Sequence, residues 1–501
     1  MNTTDRIVIC GVLALSAGVV YVNALHNPFV YDDYHTVVVN TSLARIADVR
    51  AIVLHDVTRP IVNFSYALDQ RIWGPQPFGF HVTSVLLHML NVVLFWRLAS
   101  TLTGAPRAAT AGAALFAVHP MMTEAVGYIS GRSEVLCATF FLSAFLAGVA
   151  WLRSGRRSAL AAMLVFWVAA LASKETAAMF PFVFGAWAYG ARGFQPGARS
   201  TKGVALLGGG MAAFTVLAGV ARLYVLARIE YPGRVAIHWP FLLLDVNVVA
   251  RYLLLLVRPA GQTIFHSVPL PRLLDWRAIG SVALVGGIGV AAWRLRRTEP
   301  AAAAGIAWFL LLLAPSAVLT LVDQGEPMTE HRVYAAGIGF FLACGVGIDR
   351  VATRLQRQAG PFGPADKQYA FAALAFRLVL LSLAFLTVLR NEVWADPIAL
   401  WQESVTLAPD HYRPRLLLGE ALLEKNRTDD AIEQFNTAIR LRPDIAIGYL
   451  KLARCYADVG RFDEAKRLLV KAHDLDPSDP IAPKMLDAVT TIQARLKPGP
   501  K

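Results

Sequence analysis

Two adjacent carboxylates, Asp32 and Asp33, stand just past the first apolar stretch of the chain, in the string Asn27-Pro28-Phe29-Val30-Tyr31-Asp32-Asp33-Tyr34. At a membrane surface such a pair can take a proton from a hydroxyl, bind a metal or hold a cationic partner. At the start of a helix it would only cap. Further polar groups recur beside later apolar stretches: Arg59-Pro60, His119-Pro120 through Glu124, Gly131-Arg132-Ser133-Glu134, Ser173-Lys174-Glu175 and Glu330-His331-Arg332. Charges in or beside lipid are costly, so they usually line a cavity or a functional path. Each also has a structural reading: Lys174 and Glu175 can pair locally, and Arg132 can pair with Glu124 or Glu134.

The elements that must position these groups are membrane helices. Of 501 residues, 56% are hydrophobic and 17% charged, and the mean hydropathy is +0.48. That composition is polytopic membrane protein. Apolar stretches near 7–25, 82–102, 108–127, 134–152, 158–172, 176–190, 203–226, 278–293, 301–322, 335–349 and 369–389 predict eleven crossings. The stretch 241–257 is interrupted by Asp245, Asn247 and Arg251. If it lies along the surface or re-enters, the basic loops at 153–157, 192–202, 294–297 and 350–367 all fall inside. All the polar groups above then share the outer face, with the first outer loop at about 26–80. The span 7–25 lacks a small-residue cleavage site and is expected to stay as an anchor. The net charge of +13 sits largely in short loops, so no nucleic-acid partner is expected. Cys10, Cys137, Cys344 and Cys455 are scattered and form neither a disulfide framework nor a zinc spacing.

From residue 391 to 501 the chain turns charged and helical, against a membrane domain over 1–390. Leu407-Ala408-Pro409, Leu441-Arg442-Pro443 and Leu475-Asp476-Pro477 recur at the 34-residue period of tetratricopeptide repeats. Each proline ends a second helix, since it cannot continue the hydrogen-bond ladder. Two units and a partial one are present. Such repeats bind peptide segments in a concave groove or serve as a packing appendage.

With both halves in view, the chain resembles the transmembrane and tetratricopeptide-repeat O-mannosyltransferases and their bacterial relatives. The resemblance rests on Phe29-Val30-Tyr31-Asp32-Asp33, Arg59-Pro60, Gly79-Phe80-His81 with Leu87-His88, His119-Pro120 with Thr123-Glu124-Ala125-Val126, Gly131-Arg132-Ser133-Glu134, Ser173-Lys174-Glu175 and Glu330-His331-Arg332-Val333-Tyr334. It implies an all-α fold: a C-type glycosyltransferase bundle with a C-terminal repeat solenoid. It also implies a sugar donor linked to polyprenyl phosphate, an acidic catalytic residue in the first outer loop and inversion at the anomeric carbon. The Glu-His-Arg string departs from the family's commoner Glu-Arg, which leaves open which cation there is the relevant one.

Transfer to a hydroxyl needs a base for its proton and cations for the departing phosphate, where the planar fork of arginine is favoured. By resemblance Asp32 is the expected base, with Asp33 positioning it or binding the acceptor. Arg59, Arg132, Lys174 and Arg332 are expected at the donor phosphate or substrate, with Glu124, Glu175, His119 and His331 around them. No cofactor is required, although a divalent metal remains open where acids and histidines cluster. The expected partners are the lipid-linked sugar, membrane lipid, and a protein or peptide acceptor engaged through the repeats. A non-enzymatic scaffold recruiting partners through the repeats is the competing reading. A transporter would need polar residues at mid-membrane and repeated spans, and neither is evident. The Ala- and Arg-rich composition points to a bacterial inner membrane, with site and repeats periplasmic; in a eukaryote they would face the endoplasmic reticulum lumen.

Overall fold

The computed structural model describes residues 2–190, 201–225, 228, 238–270, 275–321, 326–358 and 364–496. The expected basic loop at 192–202 and part of that at 350–367 fall largely outside them. The described residues form helices and no strand. Contacts divide the chain into two compact units: residues 1–262 with 268–395, and residues 396–501 with the short segment Thr263–Ser267.

The first unit opens with α1 (Thr3–Val19), followed by two short helices, α2 (Val49–His55) and α3 (Pro60–Trp73). Next come α4 (Pro77–Thr103), α5 (Pro106–Val118), a single turn α6 (Thr123–Val126), α7 (Arg132–Ser154), α8 (Arg157–Leu171), α9 (Phe180–Gly190) and α10 (Thr201–Val225). The unit closes with α11 (Phe241–Val257), α12 (Trp276–Leu295), α13 (Pro300–Leu321), α14 (Val333–Gln358) and α15 (Pro364–Ala395). Among the described residues seven helices are long and apolar enough to cross a bilayer: α4, α7, α10, α12, α13, α14 and α15. The expected count of eleven is not confirmed. The other four predicted spans fall on α1, α5, α8 and α9, whose described lengths of 17, 13, 15 and 11 residues leave them outside that set. In α5 the reason is local: the residue before a proline avoids the α region, and His119 precedes Pro120 with ψ 128°.

Small residues set the close crossings. A Cβ at Gly112 of α5 would lie 2.6 Å from the carbonyl oxygen of Phe341 on α14. Gly305 and Gly339 similarly face each other's backbone between α13 and α14. Such contacts give transmembrane helices dispersion energy that lipid does not. Gly112→Ala must therefore push α14 away, an overpacking cost of ~1–3 kcal/mol. The expected result is a lower thermal midpoint in detergent, read by tryptophan fluorescence; an unchanged midpoint would mean that the two helices do not approach this closely.

At one end of this unit, loops and helix ends are latched by buried amides. Asn23 donates to the Val388 carbonyl at 2.9 Å, and Asn391 donates to that of Val20 at 2.9 Å. The polar groups singled out in the sequence gather at this end.

The second unit is a run of helix hairpins: α16 (Pro397–Leu407), α17 (Tyr412–Glu424), α18 (Thr428–Leu441), α19 (Ala446–Asp458), α20 (Phe462–Leu475) and α21 (Ile481–Leu496). The helices preceding Pro409, Pro443 and Pro477 end where the repeat pattern places them. Ala453, Ala465 and Leu469 fill the core of the later hairpin. Phe265, from the segment Thr263–Ser267, is fully buried with its ring 5.1 Å from that of His411.

Candidate functional site

The loop after α1 turns sharply at Tyr31, whose φ of 51° is unusual for a residue with a Cβ. The turn sends the two carboxylates to opposite environments. Asp33 is fully buried: Oδ2 accepts from the Val30 amide at 3.1 Å, Oδ1 accepts from the Ser130 amide at 2.8 Å, and Ser130 Oγ lies 2.6 Å from Oδ1. Burial raises its pKa to about 7; the bonds from Ser130 and Val30 oppose the rise, and the charge of Asp32 adds to it. Asp32 is exposed, and its amide donates to the Tyr128 hydroxyl at 3.1 Å. Tyr128 stacks on Trp394, with centroids 5.3 Å apart. The buried acid is thus a pedestal for the exposed one.

Beside this pedestal lies a polar cavity of about 240 Å³, walled by His35 and Thr36, by His55, Asp56, Arg59, Asn63 and Tyr66 of the α2–α3 region, and by Ser130 and Ser133. Ser130 and Thr36 connect it to the carboxylates, since their hydroxyls are 2.8 Å apart and Thr36 Oγ1 donates to the Asp32 carbonyl at 2.9 Å. Other lining residues lead to cations. Arg59 pairs with Glu175 at 3.2 Å, both partly exposed. Lys174 lies 3.5 Å from Ser133 Oγ and pairs with Glu134 at 2.9 Å. Burial alone would raise the pKa of Glu175, but Arg59, then Lys174 and Arg332, outweigh it and hold the group at about 2. The cavity therefore adjoins the acid pair through Ser130 and Thr36, and the cations Arg59 directly and Lys174 through Ser133.

Not every expected residue reaches it. Arg132 is fully buried and its donors are committed: 2.5 Å to Asp69, 2.6 Å to the Phe80 carbonyl, 3.2 Å to Ser84 and 3.3 Å to Ser65. Its guanidinium lies 4.7 Å from the centre of the Tyr66 ring. The partner expected at Glu124 or Glu134 is therefore Asp69, and each nitrogen of the Arg132 guanidinium already has a protein partner. Lys174 and Glu175 likewise pair with Glu134 and Arg59 instead of each other. His119 is buried and both ring nitrogens are engaged: the Met121 amide donates to Nδ1 at 3.2 Å, so Nε2 carries the hydrogen and donates to the Leu256 carbonyl at 3.0 Å. Glu124 forms a second knot, accepting from the Glu330 amide at 2.9 Å and pairing with His331 Nδ1 at 2.6 Å. Arg332 is half-buried, with one donor on the Glu326 carbonyl at 2.9 Å. Among the described residues no three His, Cys, Asp or Glu side chains converge as a metal-ligand set.

Several groups escaped the sequence reading: His35, His55, Asp56, Asn63, Tyr66, Asp69 and Ser130. A signal existed for Asp69. It lies on the buried face of α3 with Val62 and Tyr66, and an acid on an apolar stripe needs a cation.

A family model described as tetratricopeptide repeat matches residues 398–480. Over 93% of its length the chain is similar to protein O-mannosyl-transferase TMTC3 of Homo sapiens, at 23% identity and covering 55% of that protein. It is also similar to protein O-mannosyl-transferase Tmtc1 of Drosophila melanogaster, at 30% identity over 34% of this chain and 21% of that one. For TMTC4 of Homo sapiens the figures are 34% identity over 26% of this chain and 21% of the relative. The chain spans about half the length of the relative that it matches nearly end to end.

Proposed function

We propose that this chain, similar over 93% of its length to a protein O-mannosyl-transferase and ending in tetratricopeptide repeats, is a membrane glycosyltransferase. It moves a sugar, mannose by analogy with the relatives' named activity, from a polyprenyl-phosphate donor to a hydroxyl of a protein or envelope acceptor. The observation that carries this reading is an exposed carboxylate, Asp32, next to a buried one and beside a polar cavity of about 240 Å³ that Arg59 lines. That volume suits one pyranose. The acceptor hydroxyl gives its proton to Asp32 as its oxygen attacks the anomeric carbon. The bond from that carbon to the phosphate oxygen breaks, and the phosphate leaves with the electron pair. One such displacement inverts the centre.

Arg59 takes the phosphate, releasing Glu175, with Lys174 and Arg332 adding positive field. The exposed apolar side chains of Leu54, Val57, Leu68 and Ile72 around α2 and α3 favour a bilayer-surface position, where a lipid-linked donor is delivered. The site and the repeats, which hold the acceptor segment, face the periplasm, or the endoplasmic reticulum lumen in a eukaryote.

The pair at the cavity wall gives this reading a test with opposite signs. Arg59→Gln should weaken binding of the lipid-linked donor about tenfold or more, the scale of a charge-assisted bond, while Glu175→Gln should tighten it. Equal donor affinity in wild type and both variants, measured by equilibrium binding in detergent, would remove Arg59 from the donor site.

A further inference from the structure

Three contacts run in line from the buried acid to the backbone of its neighbour. Asp33 Oδ1 is 2.6 Å from Ser130 Oγ, Ser130 Oγ is 2.8 Å from Thr36 Oγ1, and Thr36 Oγ1 is 2.9 Å from the carbonyl oxygen of Asp32. Each contact needs one hydrogen between its oxygens. With Asp33 ionised, the two hydroxyls supply only two. Tyr128 does not make up the deficit, because its hydroxyl brings one hydrogen and one further contact, to Ser130. A proton on Asp33 supplies what is missing. Asp33 then donates to Ser130, Ser130 to Thr36, and Thr36 to the Asp32 carbonyl.

We propose that Asp33 works as a protonated acid whose hydrogen completes this chain and so fixes the backbone, and with it the carboxylate, of Asp32. The inference rests on the reading of Asp32 as the base. Asp33 touches neither donor nor acceptor and is a positioning residue. When it ionises, the Ser130 hydrogen turns to its carboxylate, the Thr36 hydrogen is divided between Ser130 and Asp32, and the hold on Asp32 loosens. Thr36 and Ser130 also form part of the cavity wall, so the sugar site feels the same change.

The surroundings agree with the count of hydrogens. Burial is the main cause of the raised Asp33 pKa of about 7. The titratable groups facing it are Asp32 on its own loop, Tyr128 on the turn that carries Ser130, and Tyr66 on α3. An acid raised in this way keeps its proton below about pH 7 and loses it as the pH rises through that value. The chain is complete on the acidic side and broken on the alkaline side.

The test is the pH profile of transfer by purified full-length protein in three forms. Wild type should lose up to roughly thirtyfold between about pH 6 and about pH 8.5, the fall in the protonated fraction of a group with a pKa of about 7. Ser130→Ala leaves the Thr36 hydrogen only Asp32 to bond, so the alkaline fall should disappear from its profile, whatever rate the altered cavity wall sets. Thr36→Val never bonds the Asp32 carbonyl, so it should turn over at the alkaline wild-type rate throughout. A purely structural role would lower the thermal midpoint of both variants and leave the alkaline fall in place, which overturns the proposal. Infrared spectroscopy supplies a readout independent of transfer: wild type, read against Asp33→Asn, should show a protonated carboxyl disappearing with a midpoint near 7. A midpoint in the ordinary carboxylate range of about 4 overturns the proposal whether or not transfer occurs. A midpoint near 7 with no transfer by wild type supports the protonated acid and removes the transferase reading instead.

Discussion

Asp32→Asn lowers sugar transfer by ~10²-fold or more, the usual scale for losing a general base, while folding and donor binding stay near wild type. The side chain of Asp32 is exposed and the position is held through its main chain, by Tyr128 on the amide and Thr36 on the carbonyl. An amide of the same shape preserves those holds and removes only the ability to take a proton. Initial rates at saturating donor, beside a thermal midpoint for each protein, check this. Full activity in the variant would remove Asp32 from the chemistry; loss of activity together with a collapsed midpoint would make it a fold residue.

Removing Asp69 is expected to be the most damaging single change to stability. Arg132 would then be a fully buried cation without its carboxylate, and breaking such a pair costs ~3–5 kcal/mol. Asp69→Ala should therefore express poorly or melt well below wild type. Replacing both partners with apolar residues of similar size, as in Asp69→Leu with Arg132→Met, should recover part of the loss, because both desolvation penalties disappear together. Thermal midpoints of the single and double variants decide the matter. A mild Asp69→Ala phenotype, with donor binding lost in Arg132→Met, would return Arg132 to the phosphate.

The contrast between these two acids shows what the sequence could convey. Asp32 stands out as a candidate because chemistry and local string coincide: two carboxylates follow an apolar stretch, with a proline and aromatics beside them. Asp69 does not, because its partner lies 63 positions away along the chain, at Arg132, and only the packing of α3 against α7 joins them. Arg132 stands out in the sequence as a charge at the edge of an apolar helix, but nothing in its local string shows the carboxylate that holds it. Burial decides between ligand and structural cation, and one chain of letters does not report it. The polar cavity was invisible for a related reason. Its walls come from three separated stretches, 35–36, 55–66 and 130–133, and the motifs Arg59-Pro60 and Gly131-Arg132-Ser133 do not by themselves say that these stretches meet.

The fold divides in the same way. The repeat unit could be read at its helix ends, since a proline every 34 residues leaves little freedom. The number of crossings could not, because apolar stretches outlast the helices built from them. The apolar run that predicts a span over 108–127 contains a helix ending at Val118, a proline turn and the single turn α6. Composition marks what can enter lipid, whereas helix length depends on where the backbone turns.

The measurement that bears most directly on the transferase reading is transfer from labelled polyprenyl-phosphate mannose to a crude envelope acceptor, by purified wild type beside Asp32→Asn. The account predicts label in the acceptor with wild type, almost none with Asp32→Asn, and inverted configuration at the anomeric carbon. Equal label from both proteins would contradict the assignment of the base. Donor bound by wild type but returned intact, across protein and envelope acceptors alike, would contradict the enzyme itself and leave a scaffold whose repeats recruit partners to the membrane.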